Sequence, residues 1–337
     1  MSGPLKSNEK GTVLLTTLLI MAVMAAVAVA IIDDIRFAVK RTINVGDYAQ
    51  VDWYLKGGED FTRSYIQGTL QSLSDAEKNI ALAAPQDFAF PFEGGAMSIN
   101  VRDGGHCFSL GGLVSEEGTA NAVGVRQFRE LLIAVGAGEA EAERISDVVV
   151  DWVDIDTQRL SNGAEDGTYL GASPAHRTAN APLASVMELR NLSGFDEDLY
   201  QSLRPFLCAR AGGSATQFNI ETAGLSEAAL LAALLGGAEH IDIATRLIAE
   251  RPSSGYQNIE ALLMALSDMD FEGPEFAQDQ INFTPQFLWV ELQVQFKTAG
   301  RQAAYEFELL DNAGPNLTYR GWGAESFRPQ ITEEEPQ

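Results

Sequence analysis

The stretch KGTVLLTTLLIMAVMAAVAVAIIDD (residues 10–34) decides how the rest of the chain is read. From Thr12 to Ile32 it runs 21 residues without a charge, bounded by Lys10 before and by Asp33 and Asp34 after. Wound as a helix at roughly 1.5 Å per residue it spans about 31 Å, the thickness of a bilayer's hydrocarbon core. A secretory signal has a shorter apolar region, about 7 to 15 residues, ahead of a small-residue cleavage site. Ala28-Val29-Ala30 fits that second pattern. Two readings therefore stand: a retained anchor, or a signal cut after Ala30 that releases a secreted protein. The flanking charges do not separate them, because Lys6 and Lys10 precede the span while Arg36, Lys40 and Arg41 follow it.

The helical pattern continues beyond the apolar run. Ala38, Val45, Tyr48, Val51, Trp53, Tyr54, Phe61 and Tyr65 recur on a helical stripe, with no proline until Pro85. This predicts one helix from about residue 12 to the low seventies, hydrophobic over 12–32 and amphipathic over 33–75. Gly46, Gly57 and Gly58 weaken it locally. The Pro-rich, aromatic segment Ala84–Gly95 reads as a connector. AMSINVRDGGHCFSLGGL (residues 96–113) then reads as two strands around an Asp103-Gly104-Gly105 hairpin turn.

Near the other end, Leu288, Val290, Leu292, Val294 and Phe296 alternate as a half-buried strand. Tyr305, Phe307 and Leu309 supply its partner, and Leu317–Trp322 a third strand. The block between these β regions reads as almost wholly helical. Strands flanking an inserted helical block most economically build one sheet, so the expected class is α+β. Within the block, residues 183–207 and 231–266 each place helix, glycine-containing turn and helix, a helix-hairpin-helix pattern.

Charge narrows the functional classes. With 47 acidic against 23 basic residues the formal net charge is −24. Such a surface repels nucleic acid, whose binding rests on basic side chains neutralising phosphates, and attracts divalent cations or basic partners. The helix-hairpin-helix pattern is therefore read as packing, with no nucleic-acid partner. G-x-S-x-G, P-loop and Rossmann fingerprints are absent, and His106, His176 and His240 are too scattered for a zinc site. Nothing in the sequence points to an enzyme. Cys107 and Cys208 are either a disulfide or two separate buried thiols.

The stretch DWVDIDTQRLSNGAEDGTYL (residues 151–170) carries the clearest chemistry. With Asp154 at the first position of a twelve-residue calcium loop, Asp156 falls at 3, Gln158 at 5, the Leu160 carbonyl at 7, Asn162 at 9 and Glu165 at 12. Hard Ca²⁺ takes six to eight oxygen ligands, which alternating carboxylates, amides and carbonyls supply. Arg159 stands where an EF-hand requires glycine, so this is an oxygen-rich cation loop of another kind. Asp151 and Asp166 add further carboxylates, and unscreened these acids would repel one another.

Gly11 directly before the apolar helix, behind a short charged leader, resembles a type IV prepilin signal. Most prepilins carry Glu as the fifth mature residue; here Thr16 stands there. That absence, with the DWVDIDTQ…NGAED…Y stretch and the segments ASVMELRNLSGF and TQFNIETAGLSEAALLAALL, resembles the type II secretion system protein K family of minor pseudopilins. Glu221 departs from that family's Asn in the last segment.

The resemblance implies a leader (1–11) cut between Gly11 and Thr12 by the prepilin peptidase, and methylation of the new N-terminus. It implies a single-pass bacterial inner-membrane anchor with the bulk of the chain in the periplasm. It also implies a pilin-like antiparallel sheet in two parts (95–117 and 284–328) around an inserted α-domain (118–283), with an acidic tail (329–337). The implied partners are minor pseudopilins I and J. The implied role is to initiate or cap the pseudopilus at its tip for export across the outer membrane, since a chain with Thr16 offers no fifth-residue carboxylate to a subunit above it. Calcium is the implied cofactor, on Asp154, Asp156, Gln158, Asn162, Glu165 and Asp166, with Asp151 and the Leu160 carbonyl as further donors. The competing expectation is a secreted acidic calcium-binding protein with its signal removed.

Overall fold

A computed structural model describes residues 9–72, 81–82, 84–271, 278–310 and 314–329. The leader up to residue 8, residues 73–75 of the expected helix and the tail from 330 lie outside the described residues. Helix α1 (Glu9–Ser72) is continuous over 64 residues. Among the described residues nothing covers its apolar part, and residues 12–46 are exposed. A helix hydrophobic all round and uncovered by protein has the character of a membrane span, and this one is long and apolar enough to cross a bilayer. From Asp47 onward the same helix becomes a core element. Val51, Leu55 and Ile66 are fully buried.

They pack on a five-stranded sheet of β1 (Gln86–Phe92), β2 (Gly95–Asp103), β7 (Phe287–Phe296), β8 (Ala299–Leu310) and β9 (Gly314–Trp322), in that spatial order and antiparallel throughout. Ile99 opposite Leu292 and Val101 opposite Val290 carry the inner face. Gly58 lets helix and sheet close, since a Cβ there would stand 2.5 Å from Leu292 Cδ1.

Two expectations are corrected. Ala84–Gly95 is not a connector: it contains the edge strand β1, whose Phe88, Phe90 and Phe92 pack on Tyr54, Phe61 and Tyr65 of α1. Nor does Asp103-Gly104-Gly105 turn a hairpin. The chain leaves the sheet there, because the Asp103 carboxylate accepts from Gly105 N (2.7 Å), Asn219 Nδ2 (2.5 Å) and Thr222 Oγ1 (2.7 Å). Those last two partners are over a hundred residues away and draw the strand end into the inserted lobe.

That lobe lies between β2 and β7. It holds β3 (Phe108–Ser109), α2 (Ala122–Ala134), α3 (Glu139–Val153), α4 (Asp166–Tyr169), α5 (Glu197–Leu203), β4 (Leu207–Cys208), β5 (Phe218–Asn219), α6 (Ala228–Leu234), α7 (Ile241–Ala249), α8 (Ile259–Asp268) and β6 (Ile281–Asn282). Two short parallel pairs, β3 with β4 and β5 with β6, tie each end of the lobe to its middle. Cys107 and Cys208 are joined as a disulfide beside the first pair. The lobe has its own core, separate from that under the sheet, including Phe108, Phe128, Leu131, Ile145, Tyr200 and Leu231.

The direction of the sheet places the lobe. Asp47 of α1 pairs with Lys297 at the β7–β8 turn (2.7 Å), whereas Arg63, further along, bonds Pro315 O (3.1 Å) at the start of β9. β9 there lies next to the end of β8 that pairs with Phe287. The lobe joins the sheet at Asp103 and Phe287, so it stands at the end remote from the apolar half of α1.

Candidate metal centre

Helix α3 delivers the site. It starts after extended Gly138 with Glu139 and Glu141 in its first turn, where carboxylates favour the helix dipole. It stops at Asp154, whose backbone is extended while its N–H still bonds Val150 O (2.9 Å). Asp151, one turn earlier and fully buried, accepts from Leu160 N at 3.1 and 3.2 Å, folding the loop back over the helix end. Gly163 is required beneath it, because a Cβ there would collide with the Asp151 carboxylate. Asn162 is tied to Asp147 Oδ2 through its backbone and side-chain N–H groups (3.1 and 3.2 Å). On the far side Glu165 caps α4, and Thr178 Oγ1 donates to its Oε2 (2.9 Å).

This scaffold brings Asp154, Asp156 and Glu165 together, with a carboxylate oxygen of each within 4.8 Å of the others. Asp154 and Glu165 are 5% and 7% exposed, while Asp156 opens to solvent. Asp154 Oδ1 and Glu165 Oε1 are buried with no hydrogen-bond partner among the described residues. An orphaned buried carboxylate oxygen is costly unless something cationic meets it. Burial, then repulsion from Asp156, Asp151 and Glu165, pushes the Asp154 carboxyl up to about 7. Burial chiefly, then Glu165 and Asp147, pushes Asp151 up to about 6, against the opposing hydrogen bond from Leu160. The donors are all hard oxygens, which fits Ca²⁺ and disfavours zinc or copper.

The twelve-residue register does not carry over whole. Gln158 is exposed, its N–H donating to Asp156 Oδ1 (2.7 Å). Asn162 is held away by Asp147, and the Leu160 carbonyl accepts from Gly163 N (3.1 Å). Asp166 pairs with Arg177 (2.6 Å) and Thr178, and despite a desolvation penalty those contacts hold its carboxyl below the usual range. With Arg159 at the position where glycine would turn the loop inward, the chain wraps Asp151 instead. Asp147, Thr178 and Asn180, whose Nδ2 donates to Asp156 O (2.9 Å), belong to the scaffold and carry no motif signal. Behind the cluster Trp152 meets Tyr169 edge-on, with ring centroids 5.2 Å apart, and His176 lies against both.

The sequence at this centre and around it matches a known family. The family described as type II secretion system (T2SS), protein K, matches residues 106–212 and again 218–282. A type II secretion system protein K of Klebsiella pneumoniae is 33% identical over 262 residues, covering 76% of this chain and 79% of that one. The chain belongs to the type II secretion system protein K family. The protein K of Pectobacterium carotovorum subsp. carotovorum is 29% identical over 318 residues, 93% of this chain and 95% of its own length. The fold of this protein K family member is similar to a chain in the crystal structure of the GspK-GspI-GspJ complex from enterotoxigenic Escherichia coli. That likeness has a TM-score of 0.67 at 22% identity, over 84% of this chain and 99% of the other. Gly11 and Thr12 lie in the first turns of α1, and the Thr16 hydroxyl donates to Val13 O (3.0 Å) within the helix.

Proposed function

We propose that this chain is a minor pseudopilin that occupies the tip of the type II secretion pseudopilus, together with minor pseudopilins I and J. The observation that carries this reading is directional. The bulky helical lobe stands on the end of the sheet away from the apolar half of α1, in the path of any subunit that would stack above. The bare apolar half of α1 is the part that needs a bilayer or other helices to cover it. The chain is then a single-pass inner-membrane protein with its sheet and lobe in the periplasm, acting as a structural part of the export machinery rather than as a catalyst. The prepilin peptidase removes residues 1–11, leaving Thr12 as a methylated N-terminus. Asp154, Asp156 and Glu165 hold a calcium ion that cancels the charge at the end of α3 and orders the loop.

The mature N-terminus tests this, by intact mass and N-terminal sequencing of chain recovered from membranes that contain the peptidase. A chain beginning at Thr12 supports prepilin processing. A soluble chain beginning at Ile31 would overturn the pseudopilin reading and leave a secreted acidic protein.

A further inference from the structure

Past β9 the described chain runs on to Pro329. Gly323, at φ 85°, turns it back, its N–H bonding Gln302 O at 2.8 Å. Residues 323–328 then cross the seam between the two lobes over a cleft lined by Tyr200, Leu207, Trp289 and Glu306. The helical lobe grips this strap through Arg204, whose Nη2 donates to the carbonyls of Glu325 and Phe327 at 2.7 Å each. Arg190 adds a contact to the Glu325 carboxylate at 3.3 Å. The sheet grips the same strap from the other side. Arg102 Nη2 donates to Arg328 O (3.0 Å), and Arg328 N donates to Glu291 Oε1 (3.1 Å). The Arg328 side chain lies over the Trp289 ring at 4.5 Å and reaches Glu306 at 3.8 Å.

We propose that residues 323–328 are a clamp that fixes the orientation of the helical lobe on the sheet. The contacts argue for this. Three of them, from Arg204 and Arg102, go to strap carbonyls, which hold a segment by its path rather than by its side chains, and their donors are charged. They also join two bodies whose hydrophobic cores are separate, and such bodies move relative to one another by default unless something couples them. Of the other bridges, the disulfide and the Asp103 network sit where the chain passes from sheet to lobe, and Arg210 pairs with Glu306. The strap runs from that end, where Arg328 Nη1 donates to Gly104 O (3.4 Å), out to Arg204 of the lobe.

The test uses the purified full chain in detergent micelles, with spin labels at Asp87→Cys on β1 and Met264→Cys on α8, the native cysteines being paired. Wild type gives a narrow interlobe distance distribution. Arg204→Ala, which removes both carbonyl contacts, broadens it by about twofold or more, and a chain ending at Trp322 broadens it at least as much. A label pair placed within the helical lobe stays narrow in both variants. An unchanged interlobe width in Arg204→Ala, or equal broadening of the pair inside the lobe, overturns the clamp.

Discussion

Replacing Asp154 by Asn should reverse the order of stability of mutant and wild type according to whether calcium is present. Without metal, Asp154 is buried among carboxylates with its pKa lifted from 3.8 to about 7. A raised carboxyl pKa means that the folded chain holds the proton more tightly than the unfolded one. The stabilisation that proton brings is complete below about pH 4 and is lost as pH rises through about 6 for Asp151 and about 7 for Asp154. Three units at about 1.4 kcal/mol each set a ceiling of about 4 kcal/mol. Asp156 opens the cluster to solvent, and screening there reduces the figure to about 2 kcal/mol. In chelator at about pH 7.5, Asp154→Asn therefore melts about 4–8 °C above wild type. In calcium at a hundredfold excess over Kd, wild type gains about 2.7 kcal/mol that the mutant lacks, and the order inverts. At about pH 5 the calcium gain of wild type shrinks, because protons occupy the same oxygens. Thermal melts followed by circular dichroism, in calcium and in EGTA at both pH values, read all four states. If Asp154→Asn destabilises the chain equally in calcium and in EGTA, the carboxylate is a structural acceptor and the reasoning is wrong.

Three further outcomes follow from the packing. Arg210→Met leaves Glu306 buried without the guanidinium that meets it at 2.8 and 3.1 Å, and urea unfolding should show a loss of about 3–5 kcal/mol; a loss below about 1 would mean Arg328 takes over. Gly58→Leu overpacks the α1–β7 contact and should cost about 1–3 kcal/mol, whereas Gly57→Leu, with nothing within 4 Å, should be neutral or stabilising in the same assay. Cys107→Ser opens a cross-link between residues 101 apart in sequence and should cost about 2–4 kcal/mol, with reduced wild type unfolding at the same urea concentration as the mutant.

What the sequence made legible is what local period and charge encode. The uncharged run from Thr12 to Ile32 and the alternation in β7 and β8 were sufficient, because a helix and a half-buried strand each impose a period on one chain segment. Strand β1 carried the same signal in Phe88, Phe90 and Phe92, but Pro91 weighed against it. Proline is tolerated there because β1 is an edge strand, a property of sheet order that no local window contains. The Asp103 turn failed for a related reason, since the groups that bind its carboxylate come from β5 and the segment after it. At the candidate metal centre, the three carboxylates that the fold gathers, Asp154, Asp156 and Glu165, all fall on the twelve-residue spacing. That Gln158 and Asn162 are exposed is not legible in spacing, because the backbone path there is set by Asp151 and Asp147 on α3.

The distribution of polar groups separates what stabilises this molecule from what orients it. Each lobe has an apolar core of its own, yet the seam between them carries charged and polar contacts: Arg210 on Glu306, Arg204 on the carbonyls of Glu325 and Phe327, and Asp103 bound by Asn219 and Thr222. An apolar seam of the same size would hold at least as tightly, because buried ion pairs rarely repay their desolvation. What such pairs add is geometry, since a bidentate guanidinium on a carboxylate is satisfied in one arrangement and penalised in its neighbours. A seam that spends its contacts this way suits a lobe whose direction matters more than its affinity. On the tip reading that follows directly: a lobe standing off the remote end of the sheet can block a further subunit only if it is held upright.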